Sequence, residues 1–251
     1  ADPMHAAVSA GDAAAEARKS ERVVELLARE LPDGVVADLG CGYGRIAKYL
    51  LPRRRFAGYV GVDSSATMLT LFDRRYQAEP AEQRTPLLLL KSGIDRLPIE
   101  DASLDAVFSC AVLLHNPKAA TRAAVAEMLR VLKPGGKVVI VDSFPSRASL
   151  VGLFGTGYQL VYALRGMSGT NGPVRYFTRG EVERIFSGFR EVRVVPSGRV
   201  TIPKRYPFLG ARLNAAYRRG IYEPVDRFLR RVLPEGAGRV SPQHYDVVAR
   251  K

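Results

Sequence analysis

Two acidic residues and a glycine-rich loop, placed at the ends of short apolar runs, are the residues of this sequence best suited to chemistry. The run Val35–Leu39 carries Asp38 and leads into Gly40-Cys41-Gly42-Tyr43-Gly44, in which every second residue is glycine. Glycines permit positive φ angles and close approach of the backbone to a ligand. Arg45 stands where the dinucleotide fingerprint G-x-G-x-x-G has its third glycine. An acid two residues before the first glycine also disfavours a pyrophosphate and suits a ligand with a cationic amino group.

A second acid, Asp63, ends the next apolar run, nineteen residues after Gly44. A carboxylate at this position can accept hydrogen bonds from both hydroxyls of a ribose. It can also serve only to cap the helix that begins at Ser64, because Asp and Ser are favoured helix caps. Two further blocks follow, Leu97–Val107 and Glu127–Gly136.

The elements that must hold these residues alternate between strand and helix. We predict strands at 35–39, 57–62, 87–90, 106–110, 137–141, 190–195 and 244–249, and helices at 16–30, 45–51, 64–76, 119–132 and 181–187, the last with Thr178 as its N-cap. Apolar strands alternating with helices indicate a parallel sheet covered on both faces, with right-handed crossovers. The predicted fold is therefore α/β: a doubly wound, mostly parallel seven-stranded sheet (Rossmann-like) with helical cap insertions. Ligands of such sheets bind beyond the carboxyl ends of the strands.

In their order and spacing, the four blocks resemble the class I S-adenosylmethionine-dependent methyltransferases, in particular the small-molecule and lipid-quinone subgroup. The resemblance covers residues 23–142 and the final strand. It implies S-adenosylmethionine as cofactor, with the methionine moiety along Gly40, Cys41 and Gly42 and its ammonium near Asp38. It further implies that Asp63 holds the ribose, Ser64 and Met68 lie beside the adenosine, Ile94 and Asp95 lie near the adenine, and Cys110 and Ala111 border the sulfonium. Gly93 departs from the family, which often has an acid at that position.

The remaining parts of the chain divide around this cofactor-binding core, 1–142. We expect an apolar lid insertion at 143–177, a return to the core at 178–196, a basic helical cap at 197–240 and the final core strand at 241–251. The cap carries ten arginine and lysine residues against three acids, which is more than half of the net charge of +13. Its apolar residues recur at helical spacing, which predicts amphipathic helices with basic outer sides.

Methyl transfer from a sulfonium is an in-line displacement, in which proximity and alignment supply most of the catalysis. A general base is needed only when the nucleophile arrives protonated. His115, after the fourth strand, is the candidate base, with a pocket-wall role as the alternative. Tyr158, Tyr162 and Tyr176 could close over a substrate or simply pack. With two cysteines and three histidines, we expect no structural zinc.

The basic charge favours anionic partners. An apolar lid with a basic cap suits a hydrophobic substrate that carries an acidic group, or peripheral contact with an anionic membrane; the alternative is a cap whose apolar face is core. An RNA methyltransferase or RNA-binding module, and a non-catalytic relative that only binds the cofactor, also stay open. The low cysteine count and the absence of an N-terminal signal pattern predict a cytoplasmic protein.

Overall fold

A computed structural model describes residues 13–80, 84–147, 149, 152, 174–198, 211–232 and 243–251. Within these residues, seven strands form one sheet in the order β3-β2-β1-β4-β5-β7-β6. All strands run parallel except β7, which is antiparallel to both of its neighbours. The strands are β1 Val35–Leu39, β2 Gly58–Asp63, β3 Leu87–Lys91, β4 Leu104–Cys110, β5 Leu132–Pro145, β6 Glu191–Ser197 and β7 His244–Arg250. The predicted doubly wound, mostly parallel seven-stranded sheet is thus confirmed.

Helices cover both faces of the sheet. One face packs against α1 (Ala13–Glu30), α2 (Arg45–Leu50) and α3 (Ala66–Gln77). The other face packs against α4 (Lys118–Val131) and α5 (Arg179–Ile185). Helix α5 begins at the predicted N-cap, Thr178, which forms a reciprocal capping box with Glu181. Because strand order reverses between β1 and β4, the connections that follow these two strands turn to opposite faces of the sheet and leave a crevice at the strand ends.

The fifth strand is longer than its apolar run. It continues to Pro145, so that Ser143, Phe144 and Pro145 belong to the sheet although the lid insertion was predicted to begin at 143. Its pairing with β7 shifts register between Ile140 and Phe144. A bulge of this kind lets one strand bend and turns individual side chains in new directions.

The basic cap is helical over residues 211–232. This part consists of α6 (Ala211–Tyr217), a π-helical segment (Arg218–Tyr222) and α7 (Glu223–Val232). Pro224 lacks an N–H, and the N–H of Glu223 donates to the carbonyl of Arg218 five residues back. A proline at this position removes a regular helical bond, which explains the wider turn before it. Among the helices of the described chain, none is both long enough and apolar enough to cross a bilayer.

Candidate active site

Three glycines hold the loop after β1 in a left-handed conformation. The φ angles of Gly40, Gly42 and Gly44 are 76°, 53° and 78°, a region that residues with a Cβ rarely enter. A Cβ on Gly40 would lie 2.4 Å from the Val112 side chain, and a Cβ on Gly44 would lie 2.4 Å from the Phe72 ring. A Cβ on Gly42 would meet no atom within 4 Å. Packing therefore requires glycine at positions 40 and 44, whereas Gly42 leaves open space beside the backbone.

Asp63, the last residue of β2, fastens this loop. Its Oδ2 accepts a hydrogen bond from the N–H of Gly42, and its Oδ1 accepts one from the N–H of Ser65, both at 2.9 Å. The side-chain cap of α3 is Ser65, whose hydroxyl accepts from the N–H of Met68 at 3.3 Å. Helix capping thus falls mainly to Ser65, and both Asp63 oxygens keep a lone pair for a ligand.

An open cleft of about 680 Å³ lies at the carboxyl ends of β1, β2 and β4. Eight of the eleven residues predicted to contact the cofactor line this cleft: Gly40, Gly42, Asp63, Ser64, Met68, Ile94, Asp95 and Ala111. The candidate base His115 lines it too. The sequence reasoning missed six other lining residues: Tyr43, Ser65, Ser92, Gly93, Val112 and Asn116. Five of the six adjoin predicted residues in the chain, and Ser92 lies two residues before Ile94, so closeness in sequence was the signal that could have found them.

Asp38 lies behind the wall of the cleft. It is 2% exposed and accepts a hydrogen bond from the Tyr59 hydroxyl at 2.8 Å. Burial raises the pKa of Asp38 to about 7, although Tyr59 and Arg45 act in the opposite direction. Asp38 is therefore expected to change its charge near neutral pH. Its contact with the ammonium group of the cofactor stays a prediction.

The two cysteines also lie behind the wall, and both are free thiols. Burial raises the pKa of Cys41 far above its ordinary value. Cys110 accepts a hydrogen bond from Arg45 Nη2 at 3.7 Å, and burial raises the pKa of its thiol to about 12. Both thiols are protonated at neutral pH, so neither is activated as a nucleophile.

The N-terminal helix is tied to the glycine loop through Tyr43. The Tyr43 hydroxyl donates to Glu16 at 2.6 Å, and the Arg75 guanidinium lies 5.1 Å from the centre of the Tyr43 ring. Burial together with the Glu16 hydrogen bond raises the pKa of Tyr43 to about 12. Tyr43 is thus a neutral wall of the cleft, held in place from α1.

A charged cluster borders the cleft on the side of β5. Arg22 of α1 donates from Nη1 to Asp246 Oδ2 at 2.6 Å, and its Nη2 contacts Asp142. Asp142 has a φ of 51° at the bulge, and its N–H donates to Asp246 Oδ1 at 3.0 Å. The N–H of Ala111, a cleft residue, donates to the carbonyl of Val141, next to Asp142, at 2.9 Å. Bulges recur beside active sites, and the sequence reasoning did not select Arg22, Asp142 or Asp246.

The end of the lid insertion runs beside the 3₁₀ turn Leu113–His115. The N–H of Arg175 donates to the carbonyl of Leu114 at 2.9 Å. Tyr176 is half-buried, burial raises the pKa of its hydroxyl, and it is not among the cleft-lining residues. Its contact with substrate stays a prediction. Tyr158 and Tyr162 lie outside the described residues.

Comparisons with known proteins agree with this geometry. The family described as "Methyltransferase domain" matches residues 37–140. A demethylmenaquinone methyltransferase of Thermus thermophilus is 32% identical over 165 residues, covering 64% of this chain and 72% of that protein. A tRNA (carboxymethyluridine(34)-5-O)-methyltransferase of Macaca fascicularis is 36% identical over 121 residues, covering 47% of this chain but only 16% of that protein. The solved structure of a SAM-dependent methyltransferase from Archaeoglobus fulgidus shares the fold, with a TM-score of 0.55 and 19% identity over 92% of this chain and 94% of that one.

The chain therefore belongs to the class I S-adenosylmethionine-dependent methyltransferases, and S-adenosylmethionine is its methyl donor. The residues present fit this donor. The cleft volume falls within the roughly 300–1,000 Å³ of small-molecule sites, Gly42 admits close approach, and Asp63 offers two acceptors. The chain spans only 33% to 45% of the length of several other curated relatives, so the acceptor does not follow from family membership.

Proposed function

We propose that this methyltransferase acts on a small-molecule or lipid-like acceptor that combines a hydrophobic body with an acidic group. The acidic group is inferred from the surroundings of Arg175. Its Nε is buried and makes no hydrogen bond within the described part of the chain, while its backbone is bonded to Leu114, next to His115. A buried polar atom without a partner is unfavourable. A carboxylate on the acceptor would supply that partner and a charge-assisted hydrogen bond.

The hydrophobic part of the proposal is supported by the insertions and by one relative. The predicted lid, 143–177, is apolar in sequence, and Phe144 at the end of β5 packs against Phe177, with ring centroids 5.0 Å apart. The relative whose name states a quinone substrate is matched over most of its length, whereas the tRNA enzyme is matched over a small part. We therefore assign the lid, 143–177, and the cap, 197–240, to enclosing the acceptor beside the donor cleft.

His115 is the proposed general base. The donor supplies an electrophilic methyl group, and an acceptor hydroxyl or ammonium must lose a proton as it attacks. His115 lines the cleft, and its neighbour Asn116 is anchored by a hydrogen bond from Nδ2 to the carbonyl of Val112 at 3.0 Å. We expect His115→Gln to lower kcat by about 100-fold or more, to remove the acidic limb of the pH–rate profile, and to leave the affinity for S-adenosylhomocysteine unchanged. An unchanged kcat in this variant would leave His115 only a wall residue.

The acceptor class is tested with a labelled donor and paired acceptors. Each pair is a hydrophobic carboxylic acid and its neutral ester, and RNA transcripts are offered in parallel. We expect turnover with the acids and a KM at least tenfold higher for the esters. Arg175→Gln should raise KM for the acid by about tenfold or more without changing donor affinity. The matched control is Arg179→Gln, which removes an exposed arginine paired with Glu183 on α5.

Three outcomes would contradict the proposal. Equal KM values for acid and ester would show that the enzyme does not recognise an acidic group on the acceptor. Methylation of RNA in place of the small molecules would identify a nucleic-acid methyltransferase. Donor binding without labelling of any acceptor, including those of a cell extract, would identify a non-catalytic cofactor-binding relative.

A further inference from the structure

Two helices of the basic cap expose large apolar side chains. We use the name cap unit for residues 211–232, which comprise α6, the π-helical segment and α7. Six large apolar side chains are exposed in the described chain, and four of them belong to this unit: Leu213 at 61%, Ile221 at 52%, Phe228 at 60% and Val232 at 52%. Such a concentration within 22 residues marks an interaction surface, since monomeric proteins seldom leave large contiguous apolar patches in water.

The exposed side chains form the outer edge of one helical face. On α7, Val225, Phe228, Leu229 and Val232 follow the spacing i, i+3, i+4 and i+7, which places them on one side. Val225 and Leu229 are half-buried, and Tyr222 before them is buried, so this inner edge packs on the protein. Phe228 and Val232 are left on the outer edge. The alternative that the apolar face is core therefore fits Tyr222, whereas Val225 and Leu229 are only half-buried and Phe228 and Val232 are exposed.

Arginines border this outer edge. Arg227 and Arg231 are exposed and lie one residue before and three residues after Phe228, while Arg212, Arg218 and Arg219 are exposed on the preceding turns. The acids of the unit are Glu223 and Asp226, and Glu223 lies 3.7 Å from Arg218. An apolar stripe flanked by arginines matches the layering of a bilayer surface, where acyl chains lie beneath anionic headgroups.

We propose that the cap unit docks this enzyme on the surface of an anionic lipid bilayer. Ile221, Phe228 and Val232 enter the boundary between headgroups and acyl chains, and the exposed arginines contact lipid phosphates. A lipid surface is favoured over RNA because the exposed side chains between the arginines are mainly aliphatic, whereas RNA recognition uses aromatic stacking platforms. The assignment goes beyond the proposed function and does not depend on which acceptor is methylated.

The test is co-sedimentation of the full chain with vesicles of phosphatidylcholine alone, or of equal parts phosphatidylcholine and phosphatidylglycerol. We expect at least tenfold tighter binding to the anionic vesicles, weakening as salt is raised. The double variant Phe228→Ser and Val232→Ser should lose at least tenfold. The double variant Arg227→Gln and Arg231→Gln should lose about thirtyfold, since each basic residue near such a surface contributes roughly fivefold. Both variants should bind S-adenosylhomocysteine like the parent, because the changed side chains are exposed.

Matched controls remove the same groups elsewhere. Leu88→Ser deletes a side chain that is 53% exposed on the edge strand β3, and Arg55→Gln with Arg74→Gln deletes two exposed arginines near α2 and α3. Both controls should sediment like the parent. The assignment would be overturned if the protein did not sediment with anionic vesicles, or if variants and controls lost vesicle binding equally. Tighter binding to a single-stranded RNA than to the vesicles would also overturn it.

Discussion

Replacing Asp63 by alanine is expected to weaken binding of S-adenosylhomocysteine by about 100-fold. Each carboxylate oxygen accepts one hydrogen bond, Oδ2 from the N–H of Gly42 and Oδ1 from the N–H of Ser65. Each oxygen has a second lone pair, with which we expect it to accept a hydrogen bond from a ribose hydroxyl. A hydrogen bond to a charged group contributes roughly 1.5–3 kcal/mol. The loss of two such bonds therefore gives about 3 kcal/mol or more, and each 1.4 kcal/mol is a factor of ten in Kd.

The assay is isothermal titration calorimetry of the folded variants. Asp63→Asn keeps one oxygen acceptor and the shape of the side chain, so we expect an intermediate loss of about tenfold. Asp73→Ala removes an exposed carboxylate from α3 and serves as the control with no expected change. Thermal unfolding separates a ligand contact from a loosened loop, because Asp63→Ala also frees two backbone N–H groups. A folded Asp63→Ala protein whose Kd differs from the parent by less than about threefold would refute the assignment of the ribose to Asp63.

Further expectations concern the glycine loop and the buried acid beneath it. Gly42→Ala should fold with a loss of about 1–2 kcal/mol, owing to its positive φ, yet lose S-adenosylhomocysteine binding at least tenfold by calorimetry; unchanged affinity would show that no ligand approaches Gly42. Gly44→Ala should lower the free energy of unfolding by about 2–4 kcal/mol, since its Cβ meets the Phe72 ring, and a melting temperature equal to that of the parent would contradict this. Because the pKa of Asp38 is raised in the folded state to about 7, the contribution of Asp38 to native stability should fall as pH rises from about 4 to about 7, by up to roughly 4 kcal/mol. Asp38→Asn should therefore be more stable than the parent at pH 8 and similar at pH 4, and parallel stability–pH curves for the two proteins would contradict the buried-acid account.

Most of the cofactor half of the site could be predicted from sequence because its residues are local to strand ends. The apolar run of β1 is bounded by Pro32-Asp33-Gly34 and by the glycine loop, and its predicted bounds are those of the structure. Parallel strands bring their carboxyl ends to one edge, so Asp63 and Ala111 meet the glycine loop without any long-range information. Asp38, Cys41 and Cys110 were the exceptions, since none of them lines the cleft. Strand alternation directs Asp38 to the sheet face that packs against α1, α2 and α3, where it meets Tyr59.

The charged cluster at β5 and the cap could not be predicted in the same way because contacts between distant parts of the chain position them. Asp142 takes its conformation from a bulge against β7, more than a hundred residues later in the chain. Arg22 is one of several charged residues on the exposed side of a helical pattern, and only the tertiary arrangement brings it to two carboxylates. For the cap, periodicity predicts an apolar face, yet it does not specify how much of that face the rest of the chain covers.

Under the proposed function, the ion pairs near the cleft indicate which arginine is available to an acidic acceptor. Arg22 is already satisfied by Asp142 and Asp246, and a further anion there would meet two carboxylates. Arg45 donates to the Ser20 hydroxyl at 3.0 Å and to the Cys110 sulfur, so both of its terminal nitrogens are engaged. Arg175 is bonded through its backbone to the turn that carries His115, and its Nε has no hydrogen-bond partner among the described residues. Of these three arginines, Arg175 is the one whose proposed bond to an acceptor carboxylate would break no existing side-chain pair among the described residues, which is why its substitution is the most direct test of acceptor specificity.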